Sequence, residues 1–484
     1  MLTNPPTHPL ADRYYSLPAD LELIPLGAEE WLCASPTRSS RLGGPLARLV
    51  VEQILPLLQS GSWGPDLTEQ LPAVDPAALH RALEALLAAD LLRCTPAPPP
   101  PIPPDLAPFL ALLEALHLPA ATALARLSQA QITIFGLEGA GADLAILLAR
   151  CGLGHLQLVD PYPCQPGDLP LLPVGSVDPR GRPRQEVVAQ ALQALRPPSR
   201  PLALTLGPAA LTPQSVADLV VGSTCVFSGF DRGFAAVHHW INRASLAAGV
   251  PALYAAAAGV QGWAGPLVLP GQTACYLCYC MRRCACAPDP AAALAYEEHL
   301  DRQQQPPLLT RPQLPGLLLQ LAGQLAPSLW QVILGLDQPA LAGRVLEYQA
   351  LTLATTVHRV LAQPNCPACG GRPAPLHSDL PTLLAAGGPA ADLLGLTPDL
   401  VSPQTGLIRA VRWYDKDPAE PALPHIYQVT LANHQFQAGA GPAELSCWGK
   451  GLTSAEAQAS GLGEALERYG GEWVPPAAIM PARR

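Results

Sequence analysis

Lysine is almost absent from this chain: of 484 residues, only Lys416 and Lys450 carry it. Charged residues of every kind make up 14% and aromatic ones 5%, and the formal net charge is −9. A nucleic-acid surface needs clustered cations to displace phosphate counterions, so an acidic, lysine-poor chain argues against one. No run of about 18 uncharged apolar residues free of proline suggests a membrane span. The opening Met1-Leu-Thr-Asn-Pro-Pro has no basic stretch followed by an apolar one, so no signal peptide is expected.

The abundant residue types are proline, at 58, and hydrophobic residues, at 49%. The length leaves room for about three domains with real cores. Thirteen cysteines, an odd number, fit a reducing cytoplasm better than a disulfide scaffold. Four of them form two Cys-x-x-Cys pairs, Cys275/Cys278 and Cys366/Cys369. Each pair sets two thiolates on one tight turn, and two turns complete a closed tetrahedral site for a structural Zn²⁺. The long gap between the pairs means that the metal clips distant segments together. Cys280, Cys284 and Cys286 lie close enough for one of them to substitute as a ligand, and buried free thiols are the alternative.

The spacing of apolar and turn residues predicts an α/β protein in several parts. Residues 1–94 form the first. Leu21–Leu26, Trp31–Ala34 and Thr37–Leu42 read as short strands. Asp75-Pro76 is an N-cap with proline at the first helical position, opening a helix that carries Leu79, Leu83, Leu86 and Leu87 on one face. Three small strands plus helices resemble a winged helix. Residues 95–105 are a polyproline linker. Residues 106–375 start with a helical stretch, Leu106–Leu127. The strand Gln131–Phe135 then enters the turn Gly136-Leu-Glu-Gly139-Ala-Gly141 and a helix, and the next strand ends at Asp160. Such a turn presents backbone N–H groups to phosphates, and the acidic residue meets a ribose hydroxyl. Leu202–Leu206, Asp218–Phe227 and Val250–Ala256 continue the alternation, and the cysteine pairs are expected after the sheet core. In residues 376–484, Thr405–Arg412, Ile426–Leu431 and Gln435–Gly439 read as strands. A glycine loop holding Lys450 and a helix from Thr453 to Tyr469 follow, with Thr453 and Glu456 at capping-box spacing. On that helix Glu464 and Glu467 sit at i, i+3 and share one face, a pair able to hold Mg²⁺ or simply to face solvent.

The glycine turn, the Leu-Val-Asp160 strand end and Pro270-Gly-Gln-Thr-Ala-Cys-Tyr-Leu-Cys278 make residues 106–375 resemble the ThiF/MoeB family. That resemblance implies a Rossmann-type fold, a four-cysteine zinc and, in active members, adenylation of a protein carboxyl terminus. The chain departs from the pattern at Glu138 in place of a glycine, Tyr162 in place of an aspartate, Arg184 in place of a lysine and Cys225 in place of a metal-binding aspartate. Asp231 could replace that aspartate only with a shift. The nucleotide loop is therefore expected to be vestigial.

Gly449-Lys-Gly-Leu-Thr453, Ser460 and Glu464-Ala-Leu-Glu467-Arg-Tyr469 resemble the start of the YcaO family's ATP site. By that resemblance Lys450 and Ser460 line a nucleotide, Glu464 and Glu467 hold Mg²⁺, and the activity is ATP-dependent azoline formation on a precursor peptide. The sequence given reaches Arg484, soon after that helix, so ATP and Mg²⁺ are expected only if another chain completes the domain. With both neighbours identified, the N-terminal part resembles the leader-peptide-binding module of thiazole/oxazole-modified peptide synthetases. There the leader adds a strand to a sheet edge. Thr37, Arg38, Ser39, Ser40, Arg41 and Leu42 would be the receiving edge, and Leu79 and Leu83 would belong to the flanking helix. The implied partners are a precursor leader, the rest of a YcaO domain, a flavin-dependent azoline dehydrogenase and a second copy in a homodimer. Two other readings stand beside this one. The chain could be an adenylyltransferase for a small ubiquitin-like or sulfur-carrier protein, or a non-enzymatic zinc-containing DNA-binding or structural protein.

Overall fold

The computed structural model describes residues 13–18, 21–27, 29–35, 38–44, 46–98, 102–168, 172, 178–195, 202–230, 236–302, 314–364, 366–370, 391–417, 419–436 and 445–471. Two compact units result, Met1–Arg126 and Leu127–Arg484.

The first unit holds two antiparallel sheets. One joins β2 (Glu22–Pro25), β3 (Glu30–Ser35) and β4 (Arg38–Gly43), in that order. The other places β1 (Tyr14–Ser16) between β5 (Ser62–Trp63) and β6 (Arg93–Thr95), three short strands that the sequence pattern did not reveal. The helix Pro76–Ala88 starts where the N-cap signal put it: the Asp75 carboxylate accepts from the Ala77 and Ala78 N–H groups. Its Leu79, Leu83 and Leu86 pack with Ile54, Leu58 and Leu67 in one core. The helical stretch over 106–127 is made of two helices, Ala107–Ala115 and Ala120–Gln129. His117 takes a left-handed conformation between them and Pro119 supplies no N–H, so the helix cannot run through.

The second unit is built on an eight-stranded sheet. Its parallel half comprises β7 (Gln131–Phe135), β8 (His155–Val159), β9 (Ala203–Leu206), β10 (Cys225–Ser228) and β11 (Ala252–Ala258). Its antiparallel extension comprises β12 (Gln261–Val268), β13 (Arg344–Gln349) and β14 (Ala354–Arg359). The order is β14-β13-β12-β11-β10-β7-β8-β9. The chain leaves β7 in one direction and returns to β10 on its other side. The switch point is therefore the crevice at the carboxyl ends of β7 and β10, where open α/β sheets bind ligands.

One expectation is corrected here. Asp218–Phe227 is not one strand: Pro213–Val220 is a helix with a Thr212/Ser215 capping box, and β10 begins only at Cys225. The cysteine pairs come after the parallel strands, as expected, and bracket β13 and β14; Cys275, Cys278 and Cys366 belong to the main core with Phe135, Phe230 and Tyr254. One helix among the described residues, Gly316–Leu334, is long and apolar enough to cross a membrane. It lies against the sheet, with Leu317 and Leu321 so close to Gly262 of β12 that a Cβ there would meet them within 3.0 Å.

The C-terminal part of this unit is a three-stranded antiparallel sheet, β15 (Ile408–Trp413), β16 (His425–Leu431) and β17 (Ser446–Gly451), covered by the helix Ser454–Gly471. The expected glycine loop around Lys450 is thus a strand. The expected strand Gln435–Gly439 is not one where it is described: residues 434–436 are turn and irregular, and 437–440 lie outside the described residues.

Candidate functional site: a cysteine tetrad, a sealed glycine turn and an open strand edge

The four thiols of the two Cys-x-x-Cys pairs converge. Cys275 and Cys278 Sγ atoms are 3.8 Å apart, Cys275 and Cys366 3.6 Å, and Cys278 and Cys369 3.6 Å. A zinc ion with bonds of about 2.3 Å to four sulfurs has tetrahedral edges of about 3.8 Å, so the donor set fits Zn²⁺. Cys275 caps the helix Tyr276–Cys286 and Cys278 sits in its first turn, where the helix N-terminus favours thiolate. The Gln363 N–H donates to Cys278 Sγ at 3.3 Å, and Gly370, at a positive φ, closes the second turn onto the Cys366 carbonyl. Cys280, Cys284 and Cys286 are not part of the tetrad.

The glycine turn is filled by the protein's own charges. Gly136 has a φ of +85°, and a Cβ at Gly141 would lie 2.0 Å from the Gly136 carbonyl, so these glycines are needed for the turn itself. Gly139 is the N-cap of the helix Ala140–Arg150. Arg184 reaches into this space and meets three carboxylates: Asp168 at 2.8 Å, Asp160 at 3.4 Å and Glu138 at 3.6 Å. All four side chains are at most 6% exposed. Asp160 does not face an open ribose site. Its Oδ2 accepts from the Leu137 N–H at 2.8 Å, and its Oδ1 faces the Tyr162 N–H and Arg184. Burial pushes the Asp160 carboxyl up while Arg184 and the two N–H groups pull it back. Burial, Asp160 and Glu138 together push the Tyr162 phenol up to about 12.

Cys225 requires a correction. It opens β10 beside Ile132, near the start of β7, whereas the glycine turn lies at the other end of these parallel strands. It therefore does not occupy the position of a nucleotide's metal ligand. Gly229 and Phe230 do approach Gly136; Asp231, next in the chain, lies outside the described residues.

In the first unit β4 is an edge strand, paired only with β3 among the described residues. Ser39 and Arg41 are exposed and Ser40 and Leu42 half-buried. Thr37 lies outside the described residues. Leu79 and Leu83, expected beside a bound peptide, are 1% exposed and serve the core. They hold the helix in place.

The C-terminal sheet and helix also separate residues that the sequence grouped together. A Cβ on Gly449 or Gly451 would strike Ala457, Glu456 or Gly461 of the helix, so those two positions face it. Strand alternation turns Lys450, between them, to the opposite face. There it lines a cavity of about 600 Å³ with Tyr414, Lys416 and Trp448. Ser460 is exposed on the helix, as is Glu467, while Glu464 accepts from the Trp448 N–H and pairs with Arg468. The Thr453/Glu456 capping box is present in both directions.

One buried side chain that sequence reasoning missed joins the tetrad's helix to this C-terminal part. Arg282, 1% exposed, donates to the Leu361 and Ala362 carbonyls and to the Tyr469 hydroxyl, and lies 3.4 Å from His434 Nδ1. A guanidinium only donates, so His434 Nδ1 accepts and its Nε2–H donates to the Leu407 carbonyl at 3.2 Å. Burial and then Arg282 push the His434 pKa down to about 3. The folded state thus binds fewer protons than the unfolded one between the usual histidine value of about 6.5 and about 3. Stability from this group is full above that window and falls by about 1.4 kcal/mol per pH unit within it. Urea unfolding of His434→Gln and of the parent at pH 7, 6 and 5 checks this. The variant is expected to lose the corresponding part of the acid slope, and an unchanged slope counts against the assignment.

An α/β sheet with a glycine turn at its switch point and a cysteine tetrad able to hold a metal ion defines a domain of the nucleotide-binding type. The ThiF family profile matches residues 113–368, over half of the chain, and the protein belongs to the ThiF family. The sulfur carrier protein ThiS adenylyltransferase of Escherichia coli is 30% identical over 153 residues, 32% of this chain and 59% of that protein. The sulfur carrier protein adenylyltransferase of Thermus thermophilus is 25% identical over 253 residues, 51% of this chain and 85% of that one. Among solved structures, a heterocyclase in complex with substrate and cofactor aligns with 94% of this chain at a TM-score of 0.59 and 18% identity. The Escherichia coli enzyme MccB, solved with ATP, aligns with 74% of it at 0.54 and 15%. The chain spans 54% of the heterocyclase and all of MccB, and at these identities the likeness is one of fold.

Proposed function

We propose that this chain is the precursor-recognition and scaffold component of an ATP-dependent, azoline-forming peptide cyclodehydratase. The observation that supports this is at the glycine turn, where Arg184 pairs with Glu138, Asp160 and Asp168 and all four side chains are buried. A second anion there would meet three carboxylates in a low-dielectric site. The domain is then free for another task, and the heterocyclase, which shares the fold across nearly the whole chain, was solved with its substrate. In this reading the winged-helix-like first unit grips the leader by strand addition at β4, with main-chain hydrogen bonds supplying affinity. The zinc-clipped domain holds the grip. The sheet β15–β17 with its helix belongs to a YcaO-like domain, with Ser460, Glu464 and Glu467 on the helix as its ATP and Mg²⁺ residues and Lys450, on the far face of the sheet, apart from them. A homodimer, an azoline dehydrogenase partner and a cytoplasmic setting belong to the same proposal.

Proline at Ser39 and at Ser40, introduced singly, tests the edge. One of the two N–H groups points to β3 and the other outward, and proline removes a donor and blocks strand approach. The outward variant is expected to fold with unchanged circular dichroism and to bind a synthetic leader, taken from a neighbouring precursor gene, at least about tenfold more weakly. Unchanged binding by both variants removes β4 from the site.

A second reading is adenylation of a small carrier protein, favoured by the two curated relatives, both adenylyltransferases. It predicts ATP–pyrophosphate exchange by this chain, with the Arg184 cluster opening to admit the nucleotide.

A further inference from the structure

Beside the tetrad lies a second group of metal-ligating side chains. The helices Ala236–Ala248, Tyr276–Cys286 and Pro290–Asp301 converge and bring His239, Cys280 and Glu297 together. One ligand atom from each lies within 4.8 Å of the other two, and the three residues are 6%, 2% and 9% exposed. We infer that His239, Cys280 and Glu297 form a second metal site, distinct from the tetrad, for a thiophilic divalent cation of the Zn²⁺ class.

The donor chemistry supports this assignment. One imidazole nitrogen, one sulfur and one carboxylate oxygen suit zinc and its neighbours and disfavour Mg²⁺ or Ca²⁺, which take oxygen ligands. With Cys280 as thiolate and Glu297 ionised, the set carries two negative charges, one of them already paired with Arg283, and a divalent cation would meet the other in a buried place where an unmatched charge is costly. Arg283 pairs with Oε1 of Glu297 and leaves the other oxygen for a metal, the usual outer arrangement of a ligating carboxylate. Arg283 is 40% exposed, so the cluster lies one side chain below the surface. Ligand bonds of about 2.0–2.3 Å give tetrahedral edges of about 3.3–3.8 Å, within the 4.8 Å that bounds the ligand-atom separations here. Three protein ligands leave a fourth position for water.

The test is the metal content of the whole chain, by plasma mass spectrometry, after loading with zinc and dialysis against a weak chelator. Two zinc ions per chain are expected, falling to one in Cys280→Ser and in Glu297→Gln, the latter keeping side-chain volume and a partner for Arg283. Cobalt substitution gives a second readout. The parent is expected to show two spectroscopically distinct Co²⁺ sites, and each variant only the four-thiolate spectrum. One zinc per chain in the parent, unchanged in a folded Glu297→Gln variant, overturns the assignment. The outcome is independent of peptide binding and of pyrophosphate exchange.

Discussion

Cys366→Ser is expected to release the tetrad's zinc and unfold the second unit, with a loss on the order of a domain's whole stability, about 5–15 kcal/mol. The reason lies in where the four sulfurs sit. Cys275, Cys278 and Cys366 are at most 1% exposed and share a core with Phe135, Val226 and Tyr254. Without the metal, their side of the core keeps four thiols packed at 3.6–3.8 Å with no cation between them. The helix that starts at the tetrad also carries Arg282, which holds the C-terminal sheet through Tyr469 and His434. Losing the clip should therefore loosen β15–β17 as well. Thermal unfolding with and without a strong chelator, read alongside zinc content, checks this. A metal-free chain with an unchanged melting temperature would make the tetrad a set of packed thiols and no more.

Arg184→Met should destabilise the protein by about 3–5 kcal/mol, because it removes a buried cation that three buried carboxylates share. Methionine keeps most of the volume, so the loss reports charge rather than a cavity. The triple variant Arg184→Met, Glu138→Gln, Asp168→Asn should recover much of it, since neutral partners no longer need a counter-ion. Urea unfolding of the single and triple variants measures the difference. A single variant within about 0.5 kcal/mol of the parent would mean that the cluster does not hold the turn shut.

Much of the fold was legible in local patterns. Apolar strands followed by a glycine turn gave β7, the turn and β8, and the Asp75-Pro76 signal placed its helix because capping is a local interaction. The cysteine spacing identified the tetrad, since a Cys-x-x-Cys turn carries its geometry with it. Failures came where long-range packing decides. β1, β5 and β6 are two or three residues long and exist only through one another. β17 reads as a glycine loop because Gly449 and Gly451 serve close packing of a strand on a helix, not a bend. The resemblance sets Cys225 in place of a metal-binding aspartate, because the helix Pro213–Val220 hides the true start of β10. Arg282 has no sequence signature; its role depends on carbonyls about 80 residues away and a tyrosine 187 residues away. The His239, Cys280 and Glu297 group is spread over three helices and follows no spacing rule.

The most direct measurement is a calorimetric titration of the full chain with a synthetic leader peptide from a neighbouring precursor gene, without ATP. The account predicts saturable binding, micromolar or tighter, that needs no nucleotide, together with no ATP–pyrophosphate exchange by the same preparation. Absence of leader binding alongside measurable pyrophosphate exchange would contradict it and make the chain an adenylyltransferase.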